Sequence, residues 1–198
     1  KNIYFQNSDN ILKKFNLKKN MFITFHARDN KYLKTIYPLR DWSYHDYRDS
    51  NVTNYSSAIN DMYCNYKFKG VRIGKFTNSN LENTKVILDY ANHHEYTDVG
   101  EMLLVYYSKL LVCSDSGASI FAEYINKPIV YVNWSNPLRI SRWHPKSIFI
   151  FKKVFSKDKM KYLSFRDLFN INFEDKYFKY KYEIHEDKKY FGNLKIDR

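Results

Sequence analysis

Glycine and proline are scarce in this chain of 198 residues, which holds five of the first and four of the second. That excludes collagen-like and linker-rich classes, whose backbones depend on those residues. Cysteine is nearly absent: Cys64 and Cys113 lie far apart and match no metal-ligand or redox spacing. So few thiols, with no disulfide framework, place the expected compartment in the reducing cytoplasm. A long apolar run is missing too. A membrane span needs about 18 to 20 uncharged apolar residues, and the most apolar segment, Met102–Cys113, is broken by Lys109. No secretory signal opens the chain, and Lys1 is not an initiator Met, so the sequence reads as a piece of a longer protein.

Acidic residues are outnumbered by Lys and Arg, 21 against 33, for a formal charge of +12. Such a charge invites a polyanionic partner. The lysines, however, come with many Asn, Tyr, Ile and Phe and little Ala, the composition of an AT-rich coding sequence. No specific nucleic acid is therefore expected. A phosphate-bearing nucleotide or an anionic membrane surface fits the remaining charge.

What is present can build a core. Apolar residues make up 44% of the chain, and its length suits one ordinary domain. Short apolar runs at Met21–Phe25, Val71–Ile73, Val86–Asp89, Leu110–Cys113, Ile129–Val132 and Ile148–Phe151 predict strands. They are apolar on both parities, as strands covered on both faces are. Between them, Val52–Tyr66 has helical spacing, with Asn51 or Thr53 as cap. A helix from Thr97 or Asp98 to about Ser108 is expected to bury Met102, Leu103, Val105 and Tyr106. Ala118–Ile125 and Phe165–Phe169 predict two more helices, the second the last of the chain. Residues 30–51 show no period and predict a long loop.

Strands alternating with helices predict an α/β fold: a Rossmann-like three-layer α/β/α domain with a mostly parallel sheet. Three units are expected: a lead-in over 1–20, the domain over 21–172, and an irregular tail or edge element over 173–198.

Ligands of such sheets sit beyond the carboxyl ends of the strands, and polar clusters fall there. Arg28 carries a planar fork suited to a diphosphate, His26 shares its strand face, and Asp29 can orient Arg28 or act as a base. Arg72-Ile73-Gly74-Lys75 and the loop from Asp89 and Tyr90 to His94 end two further strands. Ser114-Asp115-Ser116-Gly117 opens a helix, where unpaired N–H groups hold phosphate, although Asp115 or Ser116 as a plain cap explains it equally well. A nucleophile elbow would need glycines where Ser114 and Ala118 stand, so a serine hydrolase is not expected. The loop Tyr44–Asp49 offers His45 as a proton carrier and Arg48 as a second cation. Asn133 follows a core strand and can line the same rim. His93-His94 are adjacent on a loop with no Cys partner, and no metal or cofactor is expected.

In order along the chain, FHARDNKYLK (Phe25–Lys34), YHDYRDSNV (Tyr44–Val52), VRIGK (Val71–Lys75), DYA (Asp89–Ala91), SDSG (Ser114–Gly117) and KPIVYVN (Lys127–Asn133) resemble bacterial glycosyltransferases of surface-polysaccharide gene clusters. Ile148–Lys153 and Leu163–Leu168 extend the resemblance, which covers roughly residues 20 to 170. His26 and Arg28 also match the H-x-R motif of the more distant fucosyltransferases. The resemblance implies the donor-binding, C-terminal half of a GT-B enzyme. Its donor would be a nucleotide-diphosphate sugar and its acceptor a glycan or lipid-linked glycan, with no metal. A peripheral membrane contact is compatible with it, and an N-terminal acceptor-binding half would lie in the same or another chain. On that reading Arg28 and the Ser116–Gly117 turn neutralise the leaving diphosphate. Arg72–Lys75 line the floor, Asp89 and Tyr90 frame the base or ribose, and Asp29 or His45 is the general base unless the other half supplies it.

Overall fold

Six parallel strands in the order β3-β2-β1-β4-β5-β6 form the central sheet. They are β1 (Phe22–His26), β2 (Lys69–Arg72), β3 (Ile87–Asp89), β4 (Leu111–Cys113), β5 (Ile129–Trp134) and β6 (Ile148–Phe151). The computed structural model describes residues 10–140 and 146–186. This strand order is that of the doubly wound dinucleotide-binding fold, with its topological switch between β1 and β4. The pairing registers Phe25↔Arg72 and His26↔Cys113 bring the ends of β2, β1 and β4 level.

Alternation along each strand sends successive side chains to opposite faces. Ile23 and Phe25 of β1, Val112 of β4 and Val130 and Val132 of β5 meet Tyr55, Ile59 and Met62 on one side. Those three residues belong to α3 (Tyr55–Tyr66), which a short 3-10 turn precedes; the Asn51 side chain caps that turn by accepting from the Thr53 N–H. On the other face Leu111, Ile129 and Tyr131 pack with Val105 and Ala122, while Phe22 and Val71 pack with Leu104 and Tyr107. The helices there are α4 (Asp98–Tyr107) and α5 (Ser119–Tyr124). Three layers result, as expected.

Residues 10–20 of the lead-in join this core, while residues 1–9, like 187–198 of the expected tail, lie outside the described residues. Residues 10–14 form a helix, α1, and Leu12 and Leu17 are buried against Phe22 and Leu104. Half of the expected stripe of α4 holds: Val105 is buried and Leu103 packs against the core, whereas Met102 and Tyr106 are 45% and 47% exposed and Gly100, Leu104 and Tyr107 are buried instead. The Glu101 carboxylate accepts the Gly74 N–H at 2.9 Å, which ties the first turns of the helix to the end of β2.

Residues 30–51 are not the structureless loop expected from their lack of period. They contain α2 (Lys31–Ile36), which buries none of its residues, and a 3-10 segment Ser43–Arg48 that buries Tyr47. Helix period is a signal of one buried face, and these short elements have none or a single contact. The chain then leaves the main sheet at Lys152 and enters a three-stranded antiparallel sheet of order β8-β7-β9. Its strands are β7 (Lys153–Ser156), β8 (Lys161–Tyr162) and β9 (Tyr182–His185), with α6 (Phe165–Leu168) and α7 (Phe178–Lys181) between. Phe165 therefore does not open the last helix. Residues 173–186 are an edge element: β9 borders β7, and Phe173 and Phe178 pack with Val154, Leu168 and Tyr47. No helix of the described residues is long and apolar enough to cross a membrane.

Candidate functional site

A cleft of about 610 Å³ opens beyond the carboxyl ends of β1, β2 and β4. The sequence-expected residues on its wall are His26, Arg28, Asp29, Arg48, Gly74, Lys75, Ser116 and Gly117. Parallel pairing gathers all of them but Arg48: each of the other clusters ends or follows a strand, and the strands end together at the switch point.

Arg28 is the cation at its centre. Its side chain is 7% exposed, its Nη1 pairs with the Asp49 carboxylate and donates to the His45 carbonyl at 3.2 Å, and its Nη2 has no acceptor among the described residues. Burial, with the neighbouring charge of Arg48, pulls its pKa down to about 10, so the guanidinium keeps its charge at neutral pH. Arg48 reaches the same wall from the 3-10 segment. It pairs with the Asp115 carboxylate at 2.9 Å and donates from Nε to the Asp115 carbonyl at 3.1 Å. Asp115 itself is buried at 2% exposure. It serves the cleft by holding Arg48.

Ser114 is fully buried and accepts the Arg28 N–H at 2.7 Å, which ties the loop after β1 to the end of β4. Ser116 faces His26, with Oγ 3.1 Å from Nδ1, and accepts the Ala118 N–H. Helix α5 starts only at Ser119 and has six residues, with no side-chain cap. Neither Asp115 nor Ser116 is its N-cap. His26 is held neutral: burial, then the Arg72 charge, pulls its pKa down to about 4. Gly74 adopts φ +128°, and a Cβ there would lie 2.9 Å from His26 Cδ2. The close approach of that backbone to the imidazole needs glycine.

Asp29 lines the cleft, but its two oxygens accept the Lys31 and Asn78 N–H groups, at 3.0 and 2.9 Å. It staples the loop after β1 to the loop after β2. His45 is not on the cleft wall. It stacks with Tyr44 and Trp42, and its Nδ1 has no partner among the described residues. Arg72 and Asp89 are both interior, 1% and 2% exposed, and pair at 3.3 Å. Asp89 also accepts from Leu81 and Asn92, so this pair organises the long loop between β2 and β3 beneath the site. Tyr90 is buried and accepts the Thr97 N–H. Asn133, at φ 53°, donates to Ser50 and Glu186 inside the fold.

Tyr32 and Leu33 of α2, Thr77, Tyr96, Asp98 and Glu101 also line the cleft, and none was singled out from the sequence as a ligand-binding residue. Glu101 accepts from Tyr96 Oη as well as from Gly74, and burial raises its pKa. Asp98 holds Lys75 at 3.1 Å. The first turn of the helix after β3 was the available signal, since helix starts in this fold point at the cleft. Elsewhere, His93, His94 and Glu95 bring ligand-type atoms within 4.8 Å of one another. His93 Nδ1 there accepts the Glu95 N–H, and Lys14 pairs with Glu95.

The wall combines a neutral imidazole, two internally braced guanidiniums, the Lys75 ammonium and the Ser116 hydroxyl with the carboxylates of Asp29, Asp98 and Glu101. It is chemically fit to hold an anionic oxygen cluster at the switch point. No protein-family model, curated protein or solved structure matches the chain.

Proposed function

We propose that this domain binds the diphosphate of a nucleotide-sugar donor and is the donor-binding half of a metal-independent glycosyltransferase acting on a glycan or lipid-linked glycan. The observation that carries the reading is Arg28: a buried guanidinium on the cleft wall with one nitrogen lacking an acceptor. A buried donor without a partner costs about 1 to 3 kcal/mol; Nη2 is closed to solvent here, so a phosphate oxygen would offset that cost once the guanidinium turned toward the cleft. Arg48, Lys75 and the Ser116 hydroxyl stand on the same wall. The sequence resemblance supplies the reaction class, and a cytoplasmic face of a membrane would be the place of work. Charge developing on the leaving diphosphate would be met by Arg28 and Arg48.

A second reading, a non-catalytic nucleotide-binding module, is favoured by one feature. Asp29 spends both carboxylate oxygens on backbone N–H groups, and His45 lies off the wall. On that reading the described residues bind the donor and perform no proton transfer. A partner half carrying the base would reconcile the two.

A thermal-shift screen of nucleoside diphosphates and their sugars tests the binding. A ligand at a hundred times its Kd stabilises the native state by about 2.7 kcal/mol, or roughly 5 to 10 °C for a domain of this size. Arg28→Ala should abolish the shift, and Arg28→Lys, which keeps the charge without the fork, should restore only part of it. A chain that responds to none of these nucleotides does not bind a donor. Sugar turnover by the isolated chain would exclude the non-catalytic reading.

A further inference from the structure

Lys152 is the single residue between β6 and β7, where the chain passes from the six-stranded sheet to the three-stranded one. Its N–H donates to the Trp134 carbonyl at 2.8 Å, which anchors it to β5. The residue is 4% exposed, and its ammonium donates to the Tyr47 carbonyl at 3.0 Å and to the Asp49 carbonyl. A buried ammonium is costly, and an apolar residue of similar volume is often neutral or stabilising in its place. A residue serving only to fill space between two sheets would not need the charge.

The two carbonyls belong to the end of the 3-10 segment Ser43–Arg48 and the residue after it. That segment has little to hold itself. Ser43, Tyr44 and Asp46 are exposed, and a short 3-10 turn has poor internal hydrogen-bond geometry. Yet it carries the groups that aim the cleft cations. The Asp49 carboxylate and the His45 carbonyl both hold Arg28 Nη1, and Arg48 itself reaches across to Asp115. Ser135 adds a second tie from β5, its hydroxyl donating to the Tyr47 carbonyl at 2.9 Å.

We propose that Lys152 is a positioning residue of the anion-binding wall: by gripping the Tyr47 and Asp49 carbonyls it sets where Asp49, His45 and Arg48 stand, and through them where Arg28 points. The proposal rests on the donor-binding reading for its ligand. Lys152 touches no ligand; it acts through residues about one turn away. The charged and titratable groups that face it are Glu186 beyond β9, Asp115 after β4, Arg28 after β1, and Asp49 just past the segment it holds. Burial pulls its pKa down to about 8, so its charge is lost over an accessible range.

Calorimetric titration with UDP, GDP and ADP, together with amide hydrogen exchange, tests this in the wild-type chain, Lys152→Met and Lys152→Arg. The expected result is a loss of affinity of about tenfold in Lys152→Met, with faster exchange confined to residues 43–50, and recovery of most of the affinity in Lys152→Arg. Equal binding by wild type and Lys152→Met overturns the proposal and leaves the donor-binding reading standing. Weaker binding with unchanged exchange also overturns it, since the loss is then one of charge alone. A wild-type chain that binds none of the three overturns both. Should Lys152→Met fail to fold, Lys152→Gln decides, since its shorter side chain cannot reach both carbonyls. Its affinity should fall several-fold with faster exchange in residues 43–50. Wild-type affinity in Lys152→Gln contradicts the positioning role.

Discussion

The imidazole Nδ1 of His26 and the hydroxyl of Ser116 lie 3.1 Å apart, joining the ends of β1 and β4 across 90 residues of sequence. These two strands flank the topological switch, so the contact spans the floor of the cleft. His26 is neutral there, because burial and the Arg72 guanidinium both oppose its protonation.

That neutrality predicts a pH dependence. The pKa of His26 is about 4 in the fold and 6.5 in the unfolded chain. Below the unfolded value the unfolded state takes up a proton that the native state refuses. The stability due to the neutral ring is therefore complete above about pH 6.5 and is lost as pH falls toward 4. One pKa unit is worth about 1.4 kcal/mol, so the His26 share is on the order of 3 to 4 kcal/mol. Urea midpoints of the wild type should fall through this window more steeply than those of His26→Gln. Parallel curves would show that another group carries the dependence.

Gly74→Ala should destabilise the domain by about 1 to 3 kcal/mol. Its φ of +128° strains any L side chain, and the new methyl would meet His26 Cδ2 at 2.9 Å. Chemical denaturation reads the loss. Because His26 must yield to make room, the imidazole resonances should shift in the same variant.

Arg72→Met should cost roughly 3 to 5 kcal/mol, because it leaves the buried Asp89 carboxylate uncompensated. The pair sits at 1% and 2% exposure, and the Ser79 carbonyl also loses a donor. The double variant Arg72→Met, Asp89→Leu should recover part of that loss. A double variant no better than the single would show that the Leu81 and Asn92 bonds to Asp89 dominate.

Thr97→Ala should cost about 1 kcal/mol through loss of the N-cap of α4. The Thr97 hydroxyl accepts the Gly100 N–H at 3.0 Å. The same helix presents Asp98 and Glu101 to the cleft, so the variant should also weaken nucleotide binding if those acids contribute to it.

Much of the fold was legible because its signals are local. Six apolar runs of three to six residues mark the six parallel strands, and their both-parity apolarity marks a sheet covered on two faces. The caps were legible to within two candidates each: of Thr97 and Asp98 it is Thr97 that caps α4, and of Asn51 and Thr53 it is Asn51 that caps the 3-10 turn before α3. The elements around the cleft mouth were not legible. Helix α2 buries nothing, and the strands β7, β8 and β9 have partly exposed or mixed patterns. Where no face is buried, no period is written into the chain.

The candidate site divides in the same way. His26, Arg28 and Ser116 were found because they follow strands, and the cleft lies where those strands end. Arg72 and Asp89 also follow that rule, but the fold turns them inward as a pair, which strand position alone does not reveal. Glu101 and Tyr96 line the cleft through the contact of Glu101 with the Gly74 N–H and the Tyr96 hydroxyl, and Lys152 sits at the junction of two sheets.

The sequence by itself determined the six parallel strands, the ends at which polar groups would gather, and the cationic character of that end. Those properties depend on alternation, turn chemistry and composition, each readable within a few residues. Only the tertiary structure decided which cations face the cleft and which are spent inside, because a guanidinium's role depends on the carboxylate that reaches it. Asp49 meets Arg28 from 21 residues away and Asp115 meets Arg48 from 67, and such long-range pairings come from packing, not from pattern.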